Sequence, residues 1–170
     1  MPNPDIRNGF KPIPYVLSQH WYDYDTATGT ELYEGDLCVR RSNGKVRWIS
    51  AVAGSAAGVC LSASKTIDGR AKILVADSPF QEFVAQDDGA GTAASLTHQF
   101  MGVDPTNTAG NATLKQSTLE IDISTVALGA AKMLKLLGRY NPTSDVTAYG
   151  SFTRWRLIIA QHQQRAVQGI

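Results

Sequence analysis

Leu37-Cys38-Val39-Arg40-Arg41-Ser42-Asn43-Gly44-Lys45-Val46-Arg47-Trp48-Ile49 carries the clearest fold signal in the chain. Asn43-Gly44 between two β-prone runs is a strong hairpin signal, because both residues accept the positive φ of a two-residue type I′ turn. Counting outward from such a turn sets Ser42 opposite Lys45, Arg41 opposite Val46, Arg40 opposite Arg47 and Val39 opposite Trp48. Leu37, Val39, Val46 and Trp48 then share a core face. Arg40 and Arg47 meet on the other face, where like charges directly opposite destabilise a sheet. This register predicts an acidic neighbour outside the hairpin.

Working outward, the same grammar recurs. Val16 to Tyr24 is aromatic-rich and reads as a strand, and turns are expected at Thr26 to Thr30, Glu34-Gly35-Asp36 and Asp68-Gly69. Gly58 to Ser62 reads as a short buried strand and Ala71 to Ala76 as a clear apolar one. Asp77-Ser78-Pro79 breaks the pattern, and Phe80 to Gln86 resumes it with apolar residues on both faces. Asp87 to Thr92 and Asp104 to Thr113 read as polar surface loops. Ser117 to Ile123 alternates Leu119, Ile121 and Ile123 against Thr118, Glu120 and Asp122, as a half-buried strand does. Val126 to Gly138 is open to a helical reading by propensity. The alternation from about Lys132 and the presence of Gly129 favour a strand. Asn141-Pro142 opens a loop, and Arg154 to Gln161 is a final apolar strand that puts Arg154 and Arg156 on one face.

Turn signals between short apolar runs, without a βαβ rhythm or repeat, predict a mainly β chain. The expected form is a compact antiparallel barrel or sandwich with long polar loops. Residues 1–14 carry Pro2, Pro4, Pro12 and Pro14, which forces extended geometry and removes backbone donors. They read as an N-terminal arm, either a disordered tail or a segment pinned on a neighbouring surface. Residues 15–163 form the β-domain and 164–170 a polar tail.

At 170 residues one domain is the default, large enough to bury a core without metals or disulfides. The net charge is +1 and charged residues are 18% of the chain, against roughly 25% in soluble domains. That balance argues against a general polyanion binder. Cys38 and Cys60 lie in apolar surroundings without C-x-x-C spacing and read as buried free thiols, although spacing alone leaves a disulfide open. No apolar run reaches the length of a membrane span. Met1-Pro2-Asn3-Pro4-Asp5 has neither the basic nor the apolar region of a signal peptide, so no export is expected.

Chemistry-bearing motifs are sparse. His20, His98 and His162 stand alone, without metal-ligand partners at useful spacing. Asp87 and Asp88, adjacent in sequence, suit a loop cap better than an acid/base pair. Asn111-Ala112-Thr113 matches the glycosylation triplet, but without export it is a chance match. Gly89-Ala90-Gly91 lacks the rest of a dinucleotide fingerprint. Trp21, Tyr22, Tyr24 and Trp48 could stack on bases, yet barrel core is the commoner role. Arg40, Arg41, Lys45 and Arg47 read as a solvated hairpin tip, as a dock for an acidic protein surface or, least readily, as a nucleic-acid contact, since such domains are usually more basic overall.

A resemblance joins these pieces. Asn8-Gly9-Phe10-Lys11-Pro12-Ile13 comes first, followed by Tyr33-Glu34-Gly35-Asp36-Leu37-Cys38-Val39 and an Ala/Gly-rich stretch ending in Gly58-Val59. Ile73-Leu74-Val75-Ala76-Asp77-Ser78-Pro79 and Phe80-Gln81-Glu82-Phe83-Val84-Ala85-Gln86 come next. Leu134 to Pro142 and Trp155 to His162 complete the order. Together they resemble the head decoration, or capsid cement, proteins of tailed bacteriophages. The resemblance implies a non-enzymatic β-domain without cofactor or metal. It would be made in the host cytoplasm and would bind the outside of the assembled phage head, commonly as a homotrimer. The implied partner is the major capsid protein, with no nucleic acid and no membrane. Arg40, Arg41, Lys45 and Arg47 of the hairpin, with Phe10 and Lys11 of the arm, are the expected capsid contacts. The alternatives are a tail or baseplate adaptor, a receptor-binding head-fibre domain and, more remotely, a hydrolase whose site forms only in the oligomer.

Overall fold

The computed structural model describes residues 3–49, 54–91, 93–129, 131–141 and 148–164. They form a mainly β structure whose strands fall into two antiparallel sheets. The strands are β1 (Lys11–Ile13), β2 (Gln19–Asp23), β3 (Leu37–Arg40), β4 (Val46–Trp48), β5 (Gly58–Cys60) and β6 (Lys65–Ile67), followed by β7 (Arg70–Ala76), β8 (Glu82–Gln86), β9 (Gly102–Pro105), β10 (Ile121–Ala127), β11 (Leu134–Arg139) and β12 (Arg154–Ile159). Two single 3-10 turns, Thr26–Thr28 and Leu96–His98, are the only helical elements among the described residues. Neither is long and apolar enough to cross a membrane.

The first sheet runs β1-β8-β12-β11-β9-β10, and the second runs β2-β7-β5-β3-β4 with β6 also on β7. Alternation supplies their inner faces: Trp155, Leu157 and Ile159 of β12 are buried while Arg156 is exposed, and Leu134 and Leu136 of β11 flank exposed Lys135. These residues join Leu37, Val46, Ile73 and Val75 of the second sheet in one hydrophobic core. In β8, Phe83, Val84, Ala85 and Gln86 are all buried, so both its faces are covered, as the apolar run implied. Phe80 is left outside, 68% exposed. Cys38 and Cys60 are buried free thiols.

Neither sheet closes into a barrel. In each, one isolated parallel bridge ties the end of one strand to another, Asp87 to Ile121 in the first sheet and Tyr24 to Val46 in the second. The N-terminal segment lies on its own domain. Lys11–Ile13 is an edge strand on β8, with Pro12 opposite Phe83, a position where a missing N–H is tolerated. Phe10 is buried, and Asn3 donates to the carbonyls of Ala148 and Ser151 at 2.9 and 3.1 Å.

Three sequence expectations are corrected here. The strand expected from Ser117 begins at Ile121, because groups outside a β-ladder take the backbone bonds before it. Ser117 N–H goes to Glu34 O, Leu119 N–H to Ser117 Oγ and Glu120 N–H to Thr106 Oγ1. Asp104, placed in a loop by composition, lies in β9 and accepts from Lys132 Nζ at 2.7 Å. Trp21 is 44% exposed rather than core, because it shares a face of edge strand β2 with polar Gln19 and Asp23. The expected loop after Asn141 and the Ala/Gly-rich start at Ser50 to Ala53 lie outside the described residues.

Gly58 of β5 sits so close to β7 that an added Cβ would lie 2.2 Å from Ala76 O. Gly58→Ala is therefore expected to destabilise by about 3 kcal/mol, the scale of an overpacked core. Gly44→Ala, with open space around it, should lose only about 1 kcal/mol through its left-handed backbone. Urea unfolding midpoints separate the two.

Burial raises the pKa of three carboxyls: Asp36 to about 6, Glu120 to about 7, and Asp87 in direction. Arg7 partly offsets burial at Glu120, while Asp5, Asp88 and Asp87 add to it. Each group binds its proton more tightly folded than unfolded. The native state thus holds more protons than the unfolded chain between about pH 4 and 7, and stability falls as pH rises through that window. The melting temperature is expected to be higher at pH 5 than at pH 8, and Glu120→Gln should flatten the difference.

Candidate protein-interaction surface

The hairpin expected at Asn43-Gly44 forms, but with a different turn. Gly44 N–H donates to Arg41 O at 3.0 Å and Arg41 N–H to Lys45 O at 2.8 Å, which leaves a three-residue loop, Ser42 to Gly44. Gly44 has φ +80° while Asn43 stays out of the positive region, as in a type I turn followed by a glycine bulge. The Asn43 carboxamide oxygen accepts Lys45 N–H at 3.0 Å and steadies the loop. The two-residue type I′ turn belongs instead to Asp68-Gly69, where both φ values are positive, +52° and +72°, and Ile67 pairs with Arg70.

One extra loop residue shifts the register by one. Cys38 faces Trp48, Val39 faces Arg47 and Arg40 faces Val46. The expected Arg40–Arg47 repulsion does not exist, because the two arginines occupy opposite faces of the ribbon. Cys38, Val46 and Trp48 form the buried side, with Arg40 emerging beyond them, while Arg47 is half-buried opposite Val39. Arg47 Nε is buried without a hydrogen-bond partner.

Arg40, Arg41 and Lys45 are exposed. Among the described residues none of these three, nor Arg47, has a carboxylate within 4.0 Å. Among the described residues Lys11, Lys65, Lys72 and Lys135 likewise lack such a carboxylate, whereas five other cations have one. Arg7 pairs with Asp5 and Glu120, Arg70 with Asp23, Lys115 with Glu31, Lys132 with Asp104 and Arg156 with Glu82. Arg139 and Arg154 lie over the rings of Tyr149 and Tyr140.

The other expected contacts do not join the hairpin. Phe10, 1% exposed, belongs to the core and offers no surface. Lys11 is exposed on β1, an edge of the first sheet, whereas the hairpin belongs to the second.

Sequence reasoning missed what surrounds Arg40. Beside the hairpin lies a cavity of about 370 Å³ bounded by Tyr22, Arg40, Arg41, Ser42, Ala57 and Gln163. Behind Tyr22 sits buried Asp77, which accepts from Tyr22 Oη at 2.7 Å and Ser18 Oγ at 2.8 Å and lies 2.7 Å from His20 Nδ1. Burial would raise the Asp77 pKa, but these three contacts outweigh it and hold the carboxyl below its ordinary value. Burial, and after it the same contact, push the Tyr22 hydroxyl well up, so it stays a neutral donor. The i, i+2, i+4 spacing of Ser18, His20 and Tyr22 was the available sequence signal, since alternate residues of a strand share a face. Among the described residues no cluster of three metal-ligating side chains occurs.

Tyr22→Phe removes one hydrogen bond to a charged acceptor and should destabilise by about 1.5–3 kcal/mol. Chemical unfolding at neutral pH measures it. No protein-family model, curated protein or solved structure matches this chain.

Proposed function

We propose that this chain is a capsid decoration protein of a tailed bacteriophage, a non-enzymatic virion component. It binds the outer surface of the assembled head and reinforces joints between capsomers. The observation that carries the reading is the hairpin's four cations, Arg40 and Arg47 on opposite faces, none with a carboxylate within 4.0 Å among the described residues, on a chain where Arg7, Arg70, Lys115, Lys132 and Arg156 form ion pairs. Desolvating such a group is favourable only against carboxylates supplied from outside. Among the described residues, Glu34 and Asp68 are the exposed carboxylates without a hydrogen bond or ion pair of their own. A second copy therefore offers little acid, and the major capsid protein is the partner that fits.

The order of motifs from Asn8 to His162 supports the same reading. So does the architecture, two antiparallel sheets arranged as a sandwich with the proline-rich segment laid along it. A homotrimer would multiply individually weak contacts into useful avidity. The tail-adaptor and head-fibre readings differ in stoichiometry: a cement protein is present in hundreds of copies per particle, an adaptor in about a dozen.

Neutralising Arg40, Arg41, Lys45 and Arg47 together with Gln should weaken binding to purified undecorated shells by at least roughly tenfold, about 1.4 kcal/mol. Added salt should weaken the wild-type complex in the same direction. Co-sedimentation with the shells and a quantitative gel against the capsid band read both occupancy and copy number. Unchanged decoration by the neutralised variant, or an adaptor-like copy number, overturns the proposal.

A further inference from the structure

We infer that the cavity beside the β3–β4 hairpin is a socket for one carboxylate side chain, a Glu or Asp carried on an extended segment of the partner protein. The inference rests on the acidic-partner reading above and adds where, and by what, the partner is gripped.

Gln163 completes the open edge of β3. β5 reaches only as far as Cys38 on its side of β3, with Gly58 opposite Cys38 and Ala57 N–H donating to Cys38 O at 2.8 Å. The next peptide groups facing that side belong to Arg40. The Gln163 side chain serves both of them: Arg40 N–H donates to Oε1 at 2.7 Å, and Nε2 donates to Arg40 O at 3.0 Å. One carboxamide thus replaces the missing strand residue. Gln163 is itself anchored, because its N–H donates to Ala56 O at 2.9 Å and Ala56 N–H donates to Gln161 O at 3.0 Å. Both backbone groups of Arg40 are held by this clamp, while the next residue, Arg41, is bonded to Lys45 on the β4 side.

The cavity opens beside the clamped residue. Arg40 and Tyr22 both line it. Asp77, behind Tyr22, is buried with its oxygens engaged, so it does not neutralise Arg40 as a salt-bridge partner would. The backbone of the arginine is therefore fixed and, among the described residues, its side chain has no carboxylate partner, so an incoming acid pays no backbone-ordering cost at this position. A guanidinium matches a carboxylate bidentately. The Ala57 methyl and the Tyr22 ring suit the methylenes of a side chain better than a bare anion, and about 370 Å³ admits that side chain with its own backbone. In this arrangement Arg40 contacts the acid and Gln163 is a positioning residue.

The test uses the full chain and a short labelled peptide alternating Glu and Val, followed by fluorescence anisotropy at low salt. The Glu peptide should bind and its Gln counterpart should not. Arg40→Gln should weaken binding roughly tenfold and reduce its salt dependence. Gln163→Ala changes no charge. It should weaken binding about threefold (about 0.7 kcal/mol) while the salt dependence stays that of the wild type, a split that general loss of structure would not produce. Lys65→Gln, an exposed cation on β6, should change nothing. Equal binding of Glu and Gln peptides overturns the inference, as does wild-type affinity in Arg40→Gln or Gln163→Ala. Displacement of the peptide by an equal concentration of inorganic phosphate also overturns it, in favour of a free-anion site. Shells that bind without any peptide binding refute the socket and leave the decoration reading intact. Peptide binding without shell binding refutes the decoration reading and supports the socket.

Discussion

The buried carboxylate of Asp87 is the interaction on which the first sheet depends. One of its oxygens accepts from Thr153 N–H at 3.0 Å and Trp155 Nε1 at 3.1 Å, and the other accepts from Gly89 N–H at 3.1 Å. It stands where β8 ends, β12 begins and β10 approaches through the bridge to Ile121. Trp155, the largest of the fully buried side chains among the described residues, can lie in the core only because its indole N–H finds this acceptor. Asp87 itself tolerates burial because three donors surround it, although burial still raises its pKa. A polar atom pair thus fixes the corner from which apolar packing spreads.

The second sheet has a parallel arrangement of smaller consequence for stability and larger consequence for recognition. Asp77 gathers Ser18, His20 and Tyr22 at the join of β2 and β7. Tyr22 then forms one wall of the cavity whose other walls are the hairpin and Gln163. Buried hydrogen bonding therefore places the surface on which the functional reading rests. The four cations of the hairpin are close in sequence, but their usefulness as a group depends on which face each one takes.

That face depends on a single loop residue. A two-residue turn at Asn43-Gly44 would have opposed Arg40 to Arg47 and left a repulsive pair needing rescue. The observed three-residue loop places Val46 opposite Arg40 and Val39 opposite Arg47. The two turn types share the same favoured dipeptide, because a glycine with positive φ serves both. In the observed register Cys38, Val46 and Trp48 lie together on the buried side. At Asp68-Gly69, where β6 is exposed or half-buried, the tighter turn forms.

Alternating apolar residues and turn dipeptides sufficed for the β-class, for strands β2, β5, β7, β8, β11 and β12 to within a few residues, and for the buried thiols. These are local properties, set by side-chain period and backbone preference within a few residues. Register, strand order and the fate of Glu120, Asp104, Trp21 and Phe10 were decided only by the tertiary structure. So was the pairing of Gln163 with Arg40 across 123 positions of chain. Each of those depends on which distant group supplies a hydrogen bond or covers a face, and no local pattern encodes that. Local sequence was enough for a basic hairpin to be expected here; packing of distant strands set which face each of its arginines takes.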